Sequence, residues 1–438
     1  MKWSKYNYFF KSPKFGYLLY NALTNVFLRM SAREAAVLQR AKINPSTLDE
    51  FSERDMLVQN KIFVDNDEDE IAKLKVENLL GRFASPSLSL TITPTLACNF
   101  KCCYCYENAT RMETMSEEVQ DKVLAFVQGF PSVKELFVTW YGGEPLLAMG
   151  VVERLTSLLR TLNLPMSAGM VTNGYLLQEP VVRKLVDLSV RSLQVTIDGV
   201  GERHDVRRPH RSGAGTFETI VANLDRLFAI TKELSVAVRV NIDKSNKDHF
   251  PELLDYLSQR YKGERLAVAP AFVERINGCC GEQQCIASSK EKAAYWMELF
   301  QKYRIYNTHA FPKLELGSCM MRKLNAFVIS SDGALYKCWN DIGRADKSVG
   351  SVLKQGLNTT LLARYLKAAD KWDDPLCLDC EVFPICDGGC SYMRLENMYE
   401  GAHHDCCIAA KEHLCQFIEN HYEMRKMTEV AHNERCER

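Results

Sequence analysis

Three cysteines, Cys98, Cys102 and Cys105, are spaced three and then two residues apart in Cys98-Asn-Phe-Lys-Cys102-Cys103-Tyr104-Cys105-Tyr106. They follow the run Leu88 to Ala97, whose apolar and β-branched residues read as a buried strand. A tight loop at a strand end can turn three thiolates toward one point. Three thiolates without a nearby fourth suit a cubic iron–sulfur cluster that leaves one iron open. An open iron is where a small ligand can bind and react. A structural zinc site, by contrast, takes four closed ligands in paired Cys-x2-Cys spacing. Three buried thiols without metal are the remaining reading. Cys103 is expected to face elsewhere.

Cysteines gather again near the C-terminus. Cys319 is followed by thirteen residues, Gly333, four residues and Cys338. Cys377-x2-Cys380-x5-Cys386-x3-Cys390 follows, then Cys406 and Cys407. Taken alone, Cys377, Cys380, Cys386 and Cys390 would make a four-thiolate zinc ribbon. The loop Gly278 to Cys285 carries Cys279, Cys280 and Cys285. Free thiols, a substrate-side thiol and an extra cluster ligand all stay open there. The chain holds 17 cysteines, and their clustering points to metal ligation rather than disulfides. No 18-residue apolar span and no signal peptide are visible, so the expected location is cytoplasmic, away from membranes. Lys+Arg and Asp+Glu both number 55. With no basic excess to meet phosphates, nucleic acid is not an expected partner.

The elements that must position these groups fall into three parts. Residues 1–85 read as a small module of three short strands, Tyr6 to Phe10, Gly16 to Tyr20 and Asn25 to Met30. Ser31 with Glu34 signals a capped helix. A second helix is expected from Ser46. A turn and strand follow at Leu57 to Val64, then a solvated acidic start at Asp65 to Glu70 for a helix through Leu80. Residues 86–305 alternate strands and helices. Strands begin at Leu88, Glu135, Ala168, Ser192, Leu234 and Leu266. Helices are expected at Val119 to Phe130, Val151 to Leu162, Val181 to Leu188, Phe217 to Phe228, Phe250 to Leu257 and Lys290 to Tyr303. Continuous apolar strands alternating with helices make an α/β fold with a parallel sheet. Residues 306–438 form the cysteine-rich part.

In parallel α/β architectures, chemistry sits at the C-terminal strand ends. The second strand ends in Trp140-Tyr141-Gly142-Gly143-Glu144-Pro145. Paired glycines let backbone come close to a ligand, and Glu144 can accept from an ammonium. Thr172-Asn173-Gly174 ends the third strand. Thr196-Ile-Asp198-Gly199 ends the fourth and precedes His204-Asp-Val-Arg207-Arg208. Asn-Gly and Asp-Gly alone are common turns. Backbone at Val240 to Asp243 and Val268 to Phe272 ends the last two strands.

Taken together, these motifs resemble the radical S-adenosylmethionine (radical SAM) enzymes. The resemblance implies that Cys98, Cys102 and Cys105 hold a [4Fe–4S] cluster whose open iron is chelated by SAM. One electron then cleaves SAM to a 5′-deoxyadenosyl radical that abstracts hydrogen. It implies a partial (β/α)6 barrel. It implies that Gly142, Gly143, Glu144 and Pro145 meet the methionine amino group, and that Thr172, Asn173 and Asp198 lie beside SAM. Arg208 would pair with the SAM carboxylate, with Arg207 as competitor, and backbone of the last two strands would meet adenine. Position 196 is Thr where the family more often has Ser. The C-terminal cysteine series resembles the SPASM domain, which binds two auxiliary [4Fe–4S] clusters and so makes three in all. Cys319, Cys338 and Cys390 would serve the first, with its fourth position unfilled or unidentified. Cys377, Cys380, Cys386 and Cys407 would serve the second, with Cys406 as the alternative last ligand. Cys415 and Cys436 read as bystanders.

Residues 1–85 resemble the winged, PqqD-like module that binds leader peptides by strand addition; a simple cap on the next domain is the plainer reading. The whole chain thereby resembles radical SAM/SPASM peptide maturases. The implied partners are a precursor peptide with a leader segment and an electron donor such as flavodoxin or ferredoxin. The implied product carries a thioether or carbon–carbon crosslink. An anaerobic sulfatase-maturating enzyme, which makes formylglycine, is the alternative within the class. There an aspartate directly follows the second SPASM cysteine, whereas here Trp339 follows Cys338 and Asp341 comes later. A non-catalytic Fe–S redox sensor is the alternative of another class. No general base is identified; Tyr141, Glu274 and Asp341 stand near the inferred active face.

Overall fold

The computed structural model describes residues 1–51, 53–105, 112–274, 284–306, 312–316 and 319–436. Tyr106, Cys279 and Cys280 lie outside the described residues.

The N-terminal part opens with β1 (Lys2–Trp3), then a meander of β2 (Asn7–Ser12), β3 (Gly16–Asn21) and β4 (Val26–Met30). Alternation along the strands divides its two faces. Leu19 and Met30 pack with Leu38 and Ala41 of α1 (Ala32–Ile43). Tyr6, Tyr8 and Tyr20 turn the other way, toward the C-terminal part. Ser31 and Glu34 form a reciprocal capping box on α1. Three expectations need correction. Pro45–Glu50 forms a 3-10 turn rather than an α-helix, because Asn44, not Ser46, takes the cap position ahead of Pro45. Leu57 lies inside α2 (Arg54–Gln59), leaving only β5 (Phe63–Val64) as strand, paired with β1. Glu70 is not solvated. It opens α3 (Glu70–Phe83), where it is buried and accepts from Ser4 Oγ at 2.5 Å and Lys5 N at 2.9 Å.

The central layer is a parallel sheet built as the periodicity predicts. Its strands are β6 (Ser87–Ile92), β7 (Glu135–Trp140), β8 (Met166–Thr172), β9 (Val190–Thr196), β10 (Ser235–Ile242) and β11 (Leu266–Phe272). They pair in chain order, all parallel. The helices are α4 (Glu117–Gln128), α5 (Met149–Arg160), α6 (Glu179–Asp187), α7 (Glu202–Arg207), α8 (Phe217–Ile230), α9 (Phe250–Arg260) and α10 (Ser289–Tyr303). The first strand stops at Ile92, short of the predicted Ala97: Pro94 has no N–H for a ladder, and the chain leaves the sheet there. Pro270 is tolerated because β11 is an edge strand.

The sheet does not close between β11 and β6. The free side of β6 instead pairs in parallel with β12 (Ala326–Ile329) from the cysteine-rich part. β13 (Ala334–Tyr336) and β14 (Gly350–Ser351) extend it to nine strands. One core therefore runs from the alternating region into the cysteine-rich one. Short helices α11 (Thr359–Ala363), α12 (Pro375–Leu378) and α13 (Ser391–Tyr399) follow, then the long α14 (Leu414–Cys436). A second core joins Tyr6, Tyr8 and Tyr20 to Trp372, Phe383, Leu414 and Ile418.

Arg82 of α3 fastens this joint. It is buried, donates to Asp370 Oδ2 at 2.7 Å and to Asn78 Oδ1 at 3.0 Å, and reaches the carbonyl of Leu366. Without Arg82, the buried Asp370 carboxylate keeps as its cation only the more exposed Lys367 at 3.0 Å. Arg82→Ala is expected to lower stability by about 3–5 kcal/mol, measured by denaturant unfolding.

Candidate active site

The cysteine loop leaves β6 and is bound along its length by backbone from neighbouring strand ends. Leu96 N donates to Glu113 O, Gly143 N to Thr95 O at 3.2 Å, and Glu144 N to Ala97 O at 2.8 Å. On its far side Lys101 N donates to Pro209 O and Cys103 N to Arg207 O. Cys98 and Cys102 are half-buried against the main core, while Cys105 and Cys103 are exposed. Burial pushes the Cys98 thiol up to about 12, and burial raises Cys102 too. Metal would ligate these groups as thiolates, so binding must displace their protons.

Gly142 and Gly143 approach the loop backbone itself. A Cβ on Gly142 would lie 2.6 Å from Thr95 O, and one on Gly143 would lie 2.2 Å from Ala97 O. Gly142 also has φ +120°, which L side chains rarely adopt. The close contact for which the sequence argues is therefore made to the chain's own cysteine loop.

Glu144 is fully buried. Its carboxylate accepts from Leu146 N at 3.1 Å, Thr172 Oγ1 at 2.8 Å and Asn173 N at 2.7 Å. Burial pushes its pKa up, against the three donors that pull it down. Thr172 and Asn173 thus meet Glu144 directly. Pro145, also buried, begins the turn that Glu144 caps. Asn173 Nδ2 carries the chain of contacts on to Asn99 Oδ1 at 2.7 Å, inside the cysteine loop.

A second network ties the loop to β9 and β10. Tyr104 donates its hydroxyl to Asp198 Oδ2 and accepts from Arg208 Nη1 at 2.7 Å and Asn241 Nδ2 at 2.9 Å. Asp198 also accepts Asn241 N at 2.9 Å through Oδ1 and has its own N–H bound to His204 Nδ1. Arg207 turns to Asp243 at 2.9 Å. Arg208 is buried over the Phe100 ring and, among the described residues, forms no ion pair with a carboxylate. Its Nε and the Asn99 Nδ2 are buried donors without a partner among the described residues. Unpaired cationic and amide donors beside the Cys98 and Cys102 thiols suit an anionic or carboxylate-bearing group.

Sequence reasoning named Asp198 and Arg208 but gave no role to Tyr104, Asn99 or the Asn241 side chain. Their only signal was proximity to the cysteines or to a strand end. Of the three residues set near the active face, Tyr141 stacks on Trp339 at 5.5 Å. Glu274 pairs with Lys292 at 2.8 Å. Asp341 is buried against the Tyr365 hydroxyl at 2.7 Å, and burial pushes its pKa up to about 6.

The C-terminal cysteines divide between the two cores. Cys319, Cys338 and Cys406 lie against the main one, and Cys377, Cys380 and Cys386 against the second. Cys285 is buried beside Val273, and Cys415 is exposed on α14. Among the described residues, no three Cys, His, Asp or Glu side chains draw together closely enough to hold a single metal ion.

Residues 92–257 match the family model described as the Radical SAM superfamily. That stretch, which holds the cysteine loop and the strand ends around it, is thus similar to a radical SAM domain. Among curated relatives, the chain is 27% identical over 165 residues to the Fe-coproporphyrin III synthase of Methanosarcina barkeri (strain Fusaro / DSM 804), covering 38% of this chain and 39% of that one. It is 29% identical over 195 residues to the GTP 3′,8-cyclase of Staphylococcus haemolyticus (strain JCSC1435), covering 42% and 54%. It therefore spans about two fifths to one half of these relatives. Solved structures share the fold over longer stretches. Native anSMEcpe with bound AdoMet and Cp18Cys peptide aligns with a TM-score of 0.58 at 22% identity, over 80% of this chain and 99% of that one. Streptococcus suis SuiB bound to precursor peptide SuiA aligns with a TM-score of 0.53 at 16% identity, over 93% and 99%. No described helix is long and apolar enough to cross a membrane.

A side chain at Gly143 would push the loop carbonyl away. Gly143→Ala is expected to reduce iron bound after anaerobic reconstitution while overall helicity holds, read by iron assay beside far-ultraviolet circular dichroism.

Proposed function

We propose that the chain is a radical SAM peptide maturase that installs a thioether or carbon–carbon crosslink in a ribosomally made precursor. The observation that carries this reading is the braced cysteine loop beside Arg208, whose Nε has no partner among the described residues, joined through one continuous sheet to a second cysteine-rich region.

Cys98, Cys102 and Cys105 would hold the SAM-binding cluster. The chemistry supplied there is one-electron cleavage of SAM, which yields a hydrogen-abstracting 5′-deoxyadenosyl radical. The chain's own residues do the positioning. Glu144 holds Asn173 against the cysteine loop through Asn99. Gly142 and Gly143 hold the loop backbone from beneath. Arg208 offers a buried cation to a carboxylate, and Tyr104 orients that guanidinium while Asp198 orients Tyr104. Arg207, the competing candidate, is committed to Asp243. Cys319, Cys338 and Cys390, and Cys377, Cys380, Cys386 and Cys407, would hold the two auxiliary clusters.

Residues 1–85 would serve as the leader-binding module, residues 86–305 as the partial barrel and residues 306–438 as the SPASM domain. The three-stranded meander supports a strand-addition mode, since an antiparallel edge can take a further strand by main-chain hydrogen bonds. Precursor peptide and a flavodoxin- or ferredoxin-type electron donor are the proposed partners, and the proposed location is the cytoplasm. The formylglycine-forming alternative draws on the anSMEcpe likeness in fold. Against it, the residue after Cys338 is Trp339, half-exposed and stacked on Tyr141, where a base would be needed.

Anaerobic co-expression with the short cysteine-bearing reading frames beside its gene tests the proposal by mass spectrometry. A loss of about two mass units from a neighbour peptide, from removal of two hydrogens, is expected, with one cysteine no longer alkylated if the bond is a thioether. SAM cleavage with every neighbour unchanged would overturn the peptide reading.

A further inference from the structure

The adjacent cysteines Cys406 and Cys407 are treated very differently by the fold. Cys406 is half-buried against the main core, the one that also carries Cys319 and Cys338. Cys407 is exposed, and Lys411 Nζ lies 3.6 Å from its sulfur. The segment that carries them is strapped to the last turn of α13. Asn397 of α13 donates to His404 O at 2.9 Å and to Cys406 Sγ at 3.7 Å, and accepts from His404 N at 2.7 Å. Cys390 is the N-cap of that same helix. Gly389, its neighbour, has φ +75°, and a Cβ there would lie 1.9 Å from Cys406 O and 3.1 Å from Cys406 Cβ. Only glycine admits this approach. The fold therefore seats Cys406 against Gly389, the residue that immediately precedes Cys390.

The electrostatic neighbours follow the same division. The Cys338 thiol feels Cys390 and Cys319, the Cys390 thiol feels Cys319, and the Cys406 thiol feels Cys390. Cys407 acts on its chain neighbour Cys406 but also on Cys386, and Lys411 feels both Cys407 and Cys380.

We infer that Cys406 is the fourth ligand of the first auxiliary cluster, beside Cys319, Cys338 and Cys390, while Cys407 completes the second. The double cysteine thus splits, one thiolate to each cluster. This rests on the reading that the C-terminal cysteines hold clusters at all. Cys406 ligates as the thiolate, and its proton passes to solvent as the cluster assembles. Four cysteine ligands leave the first auxiliary cluster no open iron. The substrate peptide then cannot bind it through a cysteine sulfur, and any substrate thiol must be placed by other groups.

The test uses the full chain carrying Cys98→Ala, Cys102→Ala and Cys105→Ala, so that only auxiliary clusters assemble. Anaerobically reconstituted and reduced, it is probed with 15N-imidazole, and the clusters are read by pulsed electron paramagnetic resonance and by iron and sulfide content. The expected result is iron for both auxiliary clusters and no 15N coupling. Adding Cys406→Ala is expected to give 15N coupling with most of the iron retained. Adding Cys407→Ala instead is expected to perturb the other cluster's signal. Coupling to 15N with Cys406 intact would overturn the inference, and it is decisive even if the Cys406 variant fails to fold. Absence of any auxiliary cluster in the parent would overturn the underlying reading instead.

Discussion

The carboxylate of Glu144 is the constraint on which the site depends. It is buried, forms no ion pair among the described residues, and keeps its place by taking three donors, one from its own turn and two from the end of β8. Hydrogen bonds to a charged acceptor are worth about 1.5–3 kcal/mol each, and a buried charge without them is costly. The two bonds from Thr172 and Asn173 therefore fix the end of β7 against the end of β8. The glycines before Glu144 fix the same segment against the cysteine loop, with Gly143 too close to Ala97 O for any side chain. The cysteine loop itself has little regular structure. Its shape is set from outside, by β7 through backbone, by β8 through Asn173, and by the segment after α7 through Arg207 and Pro209 carbonyls.

A second consequence of this bracing concerns charge. Cys98 and Cys102 lie in partly apolar surroundings that favour their protonated forms. Arg208 supplies the opposing field, and both thiols feel it as a lowering influence. Tyr104 links that cation to Asp198 and Asn241. One hydrogen-bonded path therefore joins the loop to β9 and β10, as Glu144 joins it to β7 and β8. An open sheet presents all of these ends on one side.

Much of this was legible in the sequence. The six strands and their helices follow from apolar runs alternating with helical periodicity, and the starts at Glu135, Leu266, Phe217 and Phe250 coincide with the observed ones. Gly142, Gly143, Glu144, Thr172, Asn173, Asp198 and Arg208 gather around the cysteine loop because each closes a parallel strand or follows one. What could not be read is what the glycines approach: a close contact is visible as a glycine, but its partner depends on tertiary placement. The Tyr104 hub escaped for the same reason, since a tyrosine between cysteines carries no sign of Asp198, Arg208 or Asn241. Pairing of β12 with β6 was also invisible. It joins segments more than two hundred residues apart, and β12 is only four residues long. Local errors near Pro45 and Pro94 came from caps and breaks that depend on single residues.

The central claim is that Cys98, Cys102 and Cys105 form one site at which SAM is cleaved. The most direct measurement is chromatography of 5′-deoxyadenosine and methionine after adding SAM and dithionite to the anaerobically reconstituted protein, beside a Cys102→Ala variant. The account predicts both products in equal amounts from the native chain and neither above background from the variant. Equal yields from the two proteins would contradict it.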